Sequence, residues 1–549
     1  MVTTDWMLGA GERGNPATVL DRRHRGGEAW TVGNEVRPLV HGATYFAELL
    51  AAVRSQRAGD LLLFTDWRGD PDELLGGEGT EVGEVFCSAA RTGVVVRGLV
   101  WRSHLDRLQF SARENRHLGE EIAAAGGICL LDMRVRPGGS HHQKFVVLRH
   151  PGRGERDVAF VGGIDLCHGR HDDARHRGDP QTQPMAAIYG ERAPWHDIQV
   201  AVRGPAVGDV EAVFRERWSD PAPLSRNPLH RLRDRLQRLD IGERELPLQL
   251  PDPAPAGTNI VQLLRTYPPR RRGYPFAPDG ERSVAQGMAK AISRARHLIY
   301  LEDQYLWSND IAAEFCRVLR ARPGLLMIAI IPQYPDQGGR LSRPPNLVGR
   351  YESLRMLRRA GGERVAIYGI ENHEGTPVYV HAKVCVVDDI WASVGSDNFN
   401  RRSWSHDSEL SCAVVDQAVD ASPSSTPANS FARRLRLLLS GEHLDLSGEH
   451  LDLSGEHLDL SGEHLDGHRR DLDGALDDPR RAFDAFVAAA TNLDRWHEGA
   501  ERGPRPPGRL RSYHTPELTA FTRAWATPIY RLVYDPDGRP RSMRHTDRF

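Results

Sequence analysis

Two His-x-Lys tripeptides carry side chains suited to phosphoryl chemistry: HQK from His142 to Lys144 and HAK from His381 to Lys383. Side chains alternate along a β-strand, so the imidazole and the ammonium group of each tripeptide are predicted to share one face. An imidazole can attack phosphorus or protonate a departing alkoxide, and ammonium groups neutralise phosphate oxygens. Two such units facing one phosphate would cleave a phosphodiester, and this chemistry requires neither a metal ion nor another cofactor.

An apolar run and then a glycine turn follow each tripeptide. Because glycine lets the backbone approach an anion closely, both turns are predicted to bind substrate. Asn398 is predicted to hydrogen-bond the phosphoryl oxygens. Asp165 is its counterpart by position, and we expect it to point away or bind another part of the substrate, because an ionised carboxylate is unfavourable beside a phosphate. The predicted substrate-binding residues are Gly162, Gly163 and Asp165 in the first turn and Gly395 and Ser396 in the second.

The first unit departs from the second at one position. Asp388 follows the second tripeptide, whereas Arg149 stands at the corresponding position after the first. The spacing from the histidine of the tripeptide to its glycine turn is 20 residues in the first half and 14 in the second. We hypothesise that Glu155 or Asp157 replaces the missing aspartate. The alternative is that this carboxylate is a structural hydrogen-bond partner whose loss is tolerated.

The chain alternates amphipathic helices with short apolar strand-like runs, which is typical of an α/β protein. Five features recur in the same order in the two halves, and this ordered set predicts a duplicated α/β unit. The pairs are AVRSQRAGDLLLFTDW with AISRARHLIYLEDQYL, EVFCSAARTGVVVRGLVWRS with EFCRVLRARPGLLMIAIIPQ, HHQKFVV with VHAKVCVV, VAFVGGID with WASVGSDN, and HDIQV with HDSEL.

Composition suggests five parts. Residues 1–245 form a first half with the HQK unit, the Pro-rich stretch 246–257 suits an extended linker, and residues 258–438 form a second half with the HAK unit. The sequence LSGEHLD occurs four times in tandem over residues 439–466. Its leucine spacing fits a coiled coil poorly, and we interpret it as a surface excursion at a helix end rather than a metal-binding tract. Residues 467–549 are predicted to contain a helix and an irregular tail.

The overall charge gives no reason to expect a nucleic-acid partner. The 549 residues include 72 basic and 74 acidic ones, a formal net charge of -2, whereas nucleic-acid-binding surfaces are typically basic. The six cysteines lie far apart with no CxxC pair, which is typical of buried thiols. No signal-peptide pattern and no apolar stretch of about 18 residues occurs, so we expect a cytoplasmic protein, at most peripheral to a membrane.

The two units resemble the signature of the phospholipase D superfamily, HxK(x)4D followed by a GSxN or GG turn and normally present twice. The resemblance covers most of the chain and includes the segments IYLEDQYLW, VAFVGGIDLCHGRHDD and WHDIQVAVRGPAV. It implies two fused, pseudo-symmetric phospholipase D-type α/β/α sandwich domains with one shared active site. Because both half-sites belong to one chain, we expect a monomer to be complete.

The resemblance also implies roles for individual residues. His142 is expected to be the nucleophile and His381 the general acid, with Glu409 as a carboxylate that orients the second-unit histidine. Asp172 or Asp173 is the candidate orienting residue for the first. The implied reaction is hydrolysis or transphosphatidylation of glycerophospholipids at a membrane surface, through a phosphohistidine intermediate with water or an alcohol as acceptor. The expected catalytic residues are His142, Lys144, His381, Lys383, Asp388, Asn398 and Glu409.

Four alternatives remain open from the sequence. A cardiolipin-synthase-like phosphatidyltransferase would share the same core, and a nuclease would use the basic patch around residues 270–272. The segment HGRHDDARH, residues 168–176, has ligand types suited to a metal-dependent phosphodiesterase, although we favour its interpretation as a polar loop near a phosphate site. A lipid-binding scaffold without activity is the fourth, and the retention of both His-x-Lys units argues against it.

Overall fold

A computed structural model describes residues 5–103, 112–236, 246–339, 342–417, 430–446, 476–515, 517–544 and 549. The strands are β1 (Thr31–Val40), β2 (Leu61–Asp66), β3 (Val95–Trp101), β4 (Ile128–Asp132), β5 (Phe145–Arg149), β6 (Val158–Gly162), β7 (Trp195–His196), β8 (Ile198–Arg203), β9 (Asn259–Tyr267), β10 (Glu281–Arg282), β11 (Leu298–Asp303), β12 (Leu326–Ile330), β13 (Val365–Glu371), β14 (Pro377–Val380), β15 (Lys383–Val387), β16 (Trp391–Gly395), β17 (Glu409–Asp416) and β18 (Leu510–Ser512). The helices are α1 (Ala10–Arg13), α2 (Gly42–Arg54), α3 (Val82–Arg91), α4 (Ala112–Ala124), α5 (Ala206–Trp218), α6 (Pro228–Leu236), α7 (Ser283–Arg294), α8 (Asn309–Ala321), α9 (Arg343–Gly361), α10 (Arg401–Ser405), α11 (Phe431–His443), α12 (Pro479–Glu498) and α13 (Ala520–Ile529).

The first half is built on a sheet of mixed direction. Its strand order is β4-β3-β2-β5-β6-β8-β1, in which β2, β3 and β4 are parallel and every other neighbouring pair is antiparallel. All six residues of β2 are buried, as expected for an apolar strand covered on both faces. The strand that follows each HxK unit therefore pairs with a fully buried central strand: β5 pairs with β2, and β15 pairs with β11.

The second half repeats this plan strand for strand. Its order is β13-β12-β11-β15-β16-β17-β9, again with a parallel trio followed by antiparallel neighbours. Strand β18 extends the sheet beside β13, and β10 pairs with β9. The matching order confirms the α/β class and the duplicated unit predicted from the repeat.

The two halves are joined by backbone pairing and a shared core. Strand β1 pairs with β9, and β7 of the first half runs parallel to β14 of the second. One apolar cluster contains buried residues of both sheets, among them Val161, Val200, Val394 and Leu410. The halves therefore pack as one body, and side chains at their junction have fixed partners across it.

The first LSGEHLD copy differs from the expectation. It forms the end of α11 and the residues just after it, and Leu439, Ser440 and His443 are buried there. The expectation of a surface excursion is therefore wrong for this copy, because α11 packs its last turn against both halves. The copies from residue 447 onward lie outside the described residues. Within the described ranges, no helix combines the length and apolarity needed to span a bilayer.

Candidate active site

The first half-site is centred on His142, immediately before β5. Its Nδ1 lies 2.9 Å from Oε2 of Glu409, the first residue of β17 in the opposite half. The His142 backbone N–H donates to the Ser408 carbonyl at 2.9 Å, which aligns the two segments. The Ser396 hydroxyl donates to the same Glu409 oxygen at 2.5 Å. The imidazole is thus fixed through Nδ1, and Nε2 is its reactive nitrogen.

The second half-site mirrors this arrangement with different residues. Nδ1 of His381 lies 2.6 Å from Oδ2 of Asp197, which stands between β7 and β8 of the first half. The His381 backbone N–H donates to the His196 carbonyl at 2.7 Å. Each histidine is therefore oriented by a carboxylate from the other half, so that neither half-site is complete without its partner.

Both lysines lie against the histidines of their own units. Lys144 Nζ donates to the His142 carbonyl at 3.0 Å and lies 3.4 Å from Oδ1 of Asp165. Lys383 Nζ donates to the His381 carbonyl. The two buried ammonium groups, of Lys144 and Lys383, make the junction between the halves positively charged, which suits a phosphate.

Burial and the lysines keep the imidazoles neutral. Burial lowers the pKa of His142 well below its usual value, and Lys144 and Lys383 lower it further. Burial, followed by Lys383, lowers the pKa of His381 to about 3. Because Lys383 influences His142 across the junction, the two half-sites belong to one electrostatic cluster. A neutral imidazole is the form that can attack phosphorus.

The carboxylates differ in their proton affinity. Burial raises the pKa of Glu409 to about 8, and nearby Asp407 adds to the effect. Burial opposes ionisation of Asp197 as well, but His381 and Lys383 outweigh it and hold the pKa of Asp197 at about 2. When Glu409 is ionised it accepts the Nδ1 proton of His142, which leaves a lone pair on Nε2.

Known proteins match the chain over both units. The phospholipase D family model matches residues 131–238, and the model described as cardiolipin synthase, PLD-like domain, matches residues 288–424. Phospholipase D alpha 1 of Cynara cardunculus is 28% identical over 421 residues, which cover 58% of this chain and 50% of that protein. Phospholipase D A of Dictyostelium discoideum is 27% identical over 368 residues, 56% of this chain and 27% of that protein.

The chain belongs to the phospholipase D superfamily. It spans half the length, or less, of the two relatives named above. Among solved structures, phosphatidylserine synthase of Haemophilus influenzae Rd KW20 aligns with a TM-score of 0.47 at 14% identity, over 70% of this chain and 82% of that one.

Two expectations about orienting carboxylates in this superfamily member need correction. Glu409 was expected to orient the second-unit histidine, but it contacts His142 of the first unit. Asp172 accepts a hydrogen bond from the Trp195 backbone, and Asp173 from the Arg175 backbone, so these side chains are committed to their own loop. The physical reason is that the HD segments cross the junction between the halves.

The sequence reasoning missed Asp197 as a site residue. In the HDIQV and HDSEL repeat, Asp197 corresponds to Asp407 and Gln199 to Glu409. Asp407 accepts from the Ser140 backbone and hydroxyl, each at 2.9 Å, and Gln199 accepts from Ile164. The orienting carboxylate therefore comes from the second residue of one repeat and the fourth of the other. The repeat itself was the available signal, since it places an aspartate at its second position in both halves, Asp197 and Asp407.

Asp388 makes structural contacts rather than contacts with the histidines. Its carboxylate accepts from three successive backbone N–H groups, those of Arg296, His297 and Leu298, at 2.6, 2.8 and 2.9 Å. It lies five residues beyond Lys383, about 16 Å along an extended strand. The catalytic role expected for Asp388 is therefore wrong. The structure supports the alternative, a structural hydrogen-bond partner.

The hypothesis of a replacement carboxylate in the first half is also wrong. Arg149 points into the protein and donates to Asp157 at 2.8 Å, to Glu211 at 2.6 Å and to the Pro251 carbonyl at 2.6 Å. Glu155 is exposed. Asp157 neutralises Arg149 and does not accept from the backbone before β2. A buried ion pair in the first half therefore stands where the second half has the backbone hydrogen bonds of Asp388.

The residues of the two glycine turns pack closely against their neighbours. The N–H groups of Gly162 and Gly163 donate to the Lys144 and Ile198 carbonyls, so they are already engaged by the protein. A Cβ on Gly395 would collide with Ser411. The structure thus shows a steric role for Gly163 and Gly395, and the substrate-binding role of Gly162, Gly163 and Gly395 stays a prediction. The Ser396 hydroxyl is likewise engaged, as described above.

Asn398 and Asp165 lie at the junction as expected by position. Asn398 is buried, and its Oδ1 has no hydrogen-bond partner among the described residues. Burial disfavours ionised Asp165, yet Lys144 and then Arg170 hold its pKa below the usual range. Asp165 is thus an internal counter-ion of Lys144. Asn398 remains a candidate contact for the substrate phosphate.

The two other segments singled out in the sequence are mostly structural. Arg270 pairs with Asp220 and lies 3.8 Å from the centre of the Tyr274 ring, so part of the basic patch is held inside the fold. In HGRHDDARH, His168 faces Asp72 at 3.0 Å, whereas His176 faces Glu442 at 2.9 Å. These side chains diverge, so the segment does not form a metal site by itself.

Replacing Gly163 with alanine is expected to lower kcat for phosphodiester cleavage about 10- to 100-fold. The reason is that a shift of about 1 Å in the Asp197 carboxylate would misplace the reactive nitrogen of His381. The new Cβ would lie 2.3 Å from Oδ1 of Asp197, so the carboxylate that holds His381 must move. Gly77→Ala is the matched control, since a Cβ there would have no neighbour within 4 Å among the described residues. Equal kcat in Gly163→Ala and wild type would contradict the positioning role of Asp197.

Proposed function

We propose that this chain is a phospholipase D-type phosphodiesterase that hydrolyses or transphosphatidylates glycerophospholipids through a phosphohistidine intermediate. The observation that carries the proposal is the reciprocal pairing across the junction, in which Glu409 orients His142 and Asp197 orients His381. Two oriented imidazoles above two lysines form the acid, the nucleophile and the anion-binding groups that a phosphodiester requires.

In the first step Nε2 of His142 attacks phosphorus. A P–N bond forms as the P–O bond to the headgroup breaks, and His381 gives its Nε2 proton to the departing alkoxide. The pKa of His381 in the free protein is about 3, so the negative charge of the bound phosphate must stabilise the protonated form. Lys144, Lys383 and Asn398 contact the non-bridging oxygens.

In the second step His381 acts as the base. It removes a proton from water or an alcohol, whose oxygen then attacks the phosphohistidine, and the P–N bond breaks to regenerate neutral His142. His142 is assigned as nucleophile because its side chain is 17% exposed, against 7% for His381, and it therefore meets an incoming phosphate more directly. Hydrolysis and transfer differ only in the acceptor.

A phospholipid is the favoured substrate class. The matching relatives are phospholipases D, and aromatic rings border both histidines: Trp67 lies 6.2 Å from His142 and Trp195 lies 4.8 Å from His381, between ring centres. Trp67 is partly exposed and suits the apolar part of a lipid, whereas the Trp195 ring is covered by the Arg170 guanidinium at 3.9 Å. The near-neutral net charge does not favour a polyanionic nucleic acid.

Choline release from phosphatidylcholine vesicles tests the proposal, with ethanol present as an acceptor and a brief exposure to EDTA. We expect release that persists in EDTA, together with formation of phosphatidylethanol, because a covalent intermediate partitions between water and alcohol. Absence of release from choline, ethanolamine and glycerol headgroups would overturn the substrate class, and single-stranded DNA would then be tried.

The match to the cardiolipin synthase domain model favours a second candidate, a phosphatidyltransferase. The same vesicles should contain phosphatidylglycerol, and both products should be followed by mass spectrometry. Formation of cardiolipin in excess of phosphatidic acid would assign the chain to transfer, whereas an excess of phosphatidic acid would assign it to hydrolysis.

A further inference from the structure

A second polar cluster lies behind the active site, at the junction of the two halves. It consists of His41 before α2, His176 in the loop before β7, His196 at the end of β7 and Glu442 in the last turn of α11. The three histidines are 2% exposed or less, and one ligand atom from each of the four residues lies within 4.8 Å of the others. Four segments distant in sequence therefore bring nitrogen and oxygen ligands to one buried point.

The hydrogen bonds of two rings leave lone pairs at this point. His176 Nδ1 faces the Trp195 carbonyl at 3.1 Å, and since a carbonyl only accepts, Nδ1 must carry the proton. His196 Nε2 faces Oε2 of Glu302 at 2.7 Å and must donate in the same way. If both rings are neutral, His176 Nε2 and His196 Nδ1 carry lone pairs, and both atoms face Glu442, which is itself an acceptor.

These contacts require a positive charge at the cluster, which either a proton or a metal cation can supply. Burial opposes protonation of His196, but Glu302 and Glu442 outweigh it and raise the pKa of His196 to about 10. His176 Nε2 lies 2.9 Å and His196 Nδ1 3.6 Å from Oε1 of Glu442, and His196 Nδ1 is buried without a hydrogen-bond partner among the described residues. Lone pairs and a carboxylate that face one another repel unless a positive charge lies between them. His41 Nε2, 2.8 Å from Oε2 of Glu442, completes the set.

We propose that His41, His176, His196 and Glu442 bind a divalent transition-metal cation, with Zn2+ as the best match. Three imidazole nitrogens and one carboxylate are ligand types that Zn2+ accepts in a tetrahedral site. Calcium and magnesium prefer sets of oxygen ligands, which this cluster does not supply. The proposal uses no catalytic atom and is independent of the proposed function.

The residues around the cluster have the arrangement expected next to a metal. Metal-bound histidines usually donate their other N–H to a carboxylate or a backbone carbonyl, as His196 does to Glu302 and His176 does to Trp195. Glu302 is itself held by Tyr300 at 2.5 Å and by His443 at 2.8 Å. Glu442 and His443 come from the first LSGEHLD copy, which gives that sequence a buried function.

The site is expected to be structural. Four protein ligands leave no open position for a substrate, in contrast to catalytic zinc sites. Because His196 immediately precedes Asp197, a cation there would fix the segment that orients His381. The cation would also connect α2 and β7 of the first half to α11 after the second, and so stabilise the junction.

Metal content of the purified full-length chain tests the proposal. Protein expressed with added Zn2+ is passed through a chelator-containing column and measured by elemental analysis. A tightly held Zn2+ in each chain is expected, together with a lower thermal unfolding midpoint after prolonged dialysis against a strong chelator. Replacement by Co2+ should give the visible absorption bands of a tetrahedral nitrogen and oxygen site.

Variants separate this cluster from other histidines. His176→Gln and His41→Gln are expected to lose the tightly bound metal and the cobalt bands, and both lie outside the LSGEHLD repeat, whose later copies also contain Glu and His. His150→Gln is the matched control, because His150 is also buried beside a carboxylate, Asp157, at 3.1 Å, and it should retain the metal.

Two results would overturn the proposal. The first is wild-type protein that shows no stoichiometric Zn2+ or Co2+ binding, which would mean that a proton occupies the junction instead of a metal. The second is equal metal binding by wild type and the two cluster variants. If those variants fail to fold, a chain with His450, His457 and His464 replaced by glutamine should still hold one Zn2+, and loss of the metal from that chain would overturn the proposal.

Discussion

Replacing His142 with alanine is expected to lower kcat for phosphodiester cleavage by at least about 10³-fold, since loss of a nucleophile removes the covalent route. The fold should survive, because the freed Glu409 oxygen still accepts from the Ser396 hydroxyl. His381→Ala is expected to cause a comparable loss, because the two histidines act as a unit. Choline release and circular dichroism, measured on the same preparations, check both parts of the prediction.

The matched control is His117→Ala. His117 lies on α4 with its side chain 59% exposed and faces only Glu121 in the described structure. Its replacement should leave kcat unchanged. Retention of more than about a tenth of wild-type kcat in His142→Ala would remove His142 from the nucleophile role, because acid–base or nucleophilic groups contribute far more than that.

Arg149→Ala is expected to lower the free energy of unfolding by about 3–5 kcal/mol, the usual cost of leaving buried charges without their partner. Arg149 is fully buried and neutralises Asp157 and Glu211, with a third contact to the Pro251 carbonyl. Removing the guanidinium takes one partner from each of two buried carboxylates, which leaves Asp157 with His150 and Glu211 with Arg215. Urea or guanidinium denaturation of the folded chain measures the change.

A second substitution at this position distinguishes the structure from the sequence signature. Arg149→Asp restores the aspartate of the HxK(x)4D pattern, yet it should destabilise at least as much as alanine, because it adds a third acidic side chain to Asp157 and Glu211. The exposed Arg156→Ala should change stability by less than about 0.5 kcal/mol. Wild-type stability in Arg149→Asp would show that the signature aspartate is tolerated there.

The sequence by itself determined the duplicated α/β plan and the two His-x-Lys pairs. The plan follows from a local rule, because apolar runs of strand length form buried strands. The pairs were found by residue type and spacing alone, since His142 and Lys144 precede β5 and His381 precedes β15, so the predicted alternation along a strand does not explain them. The recurrence of five features in order then predicted that the halves repeat one another, and strands β2 and β11 occupy equivalent places in their sheets. No partner distant in sequence was needed for these conclusions.

Only the tertiary structure decided which carboxylate serves which histidine. Glu409 is 267 residues from His142 and Asp197 is 184 residues from His381, so their hydrogen bonds depend on how the halves pack. The same holds for Arg149, whose partners Asp157 and Glu211 come from a turn and a helix. It holds most clearly for Glu442, which the sequence placed in a surface repeat and the fold buries among three histidines. Side-chain type fixes what a residue can bind, but its position in the folded chain fixes what it meets.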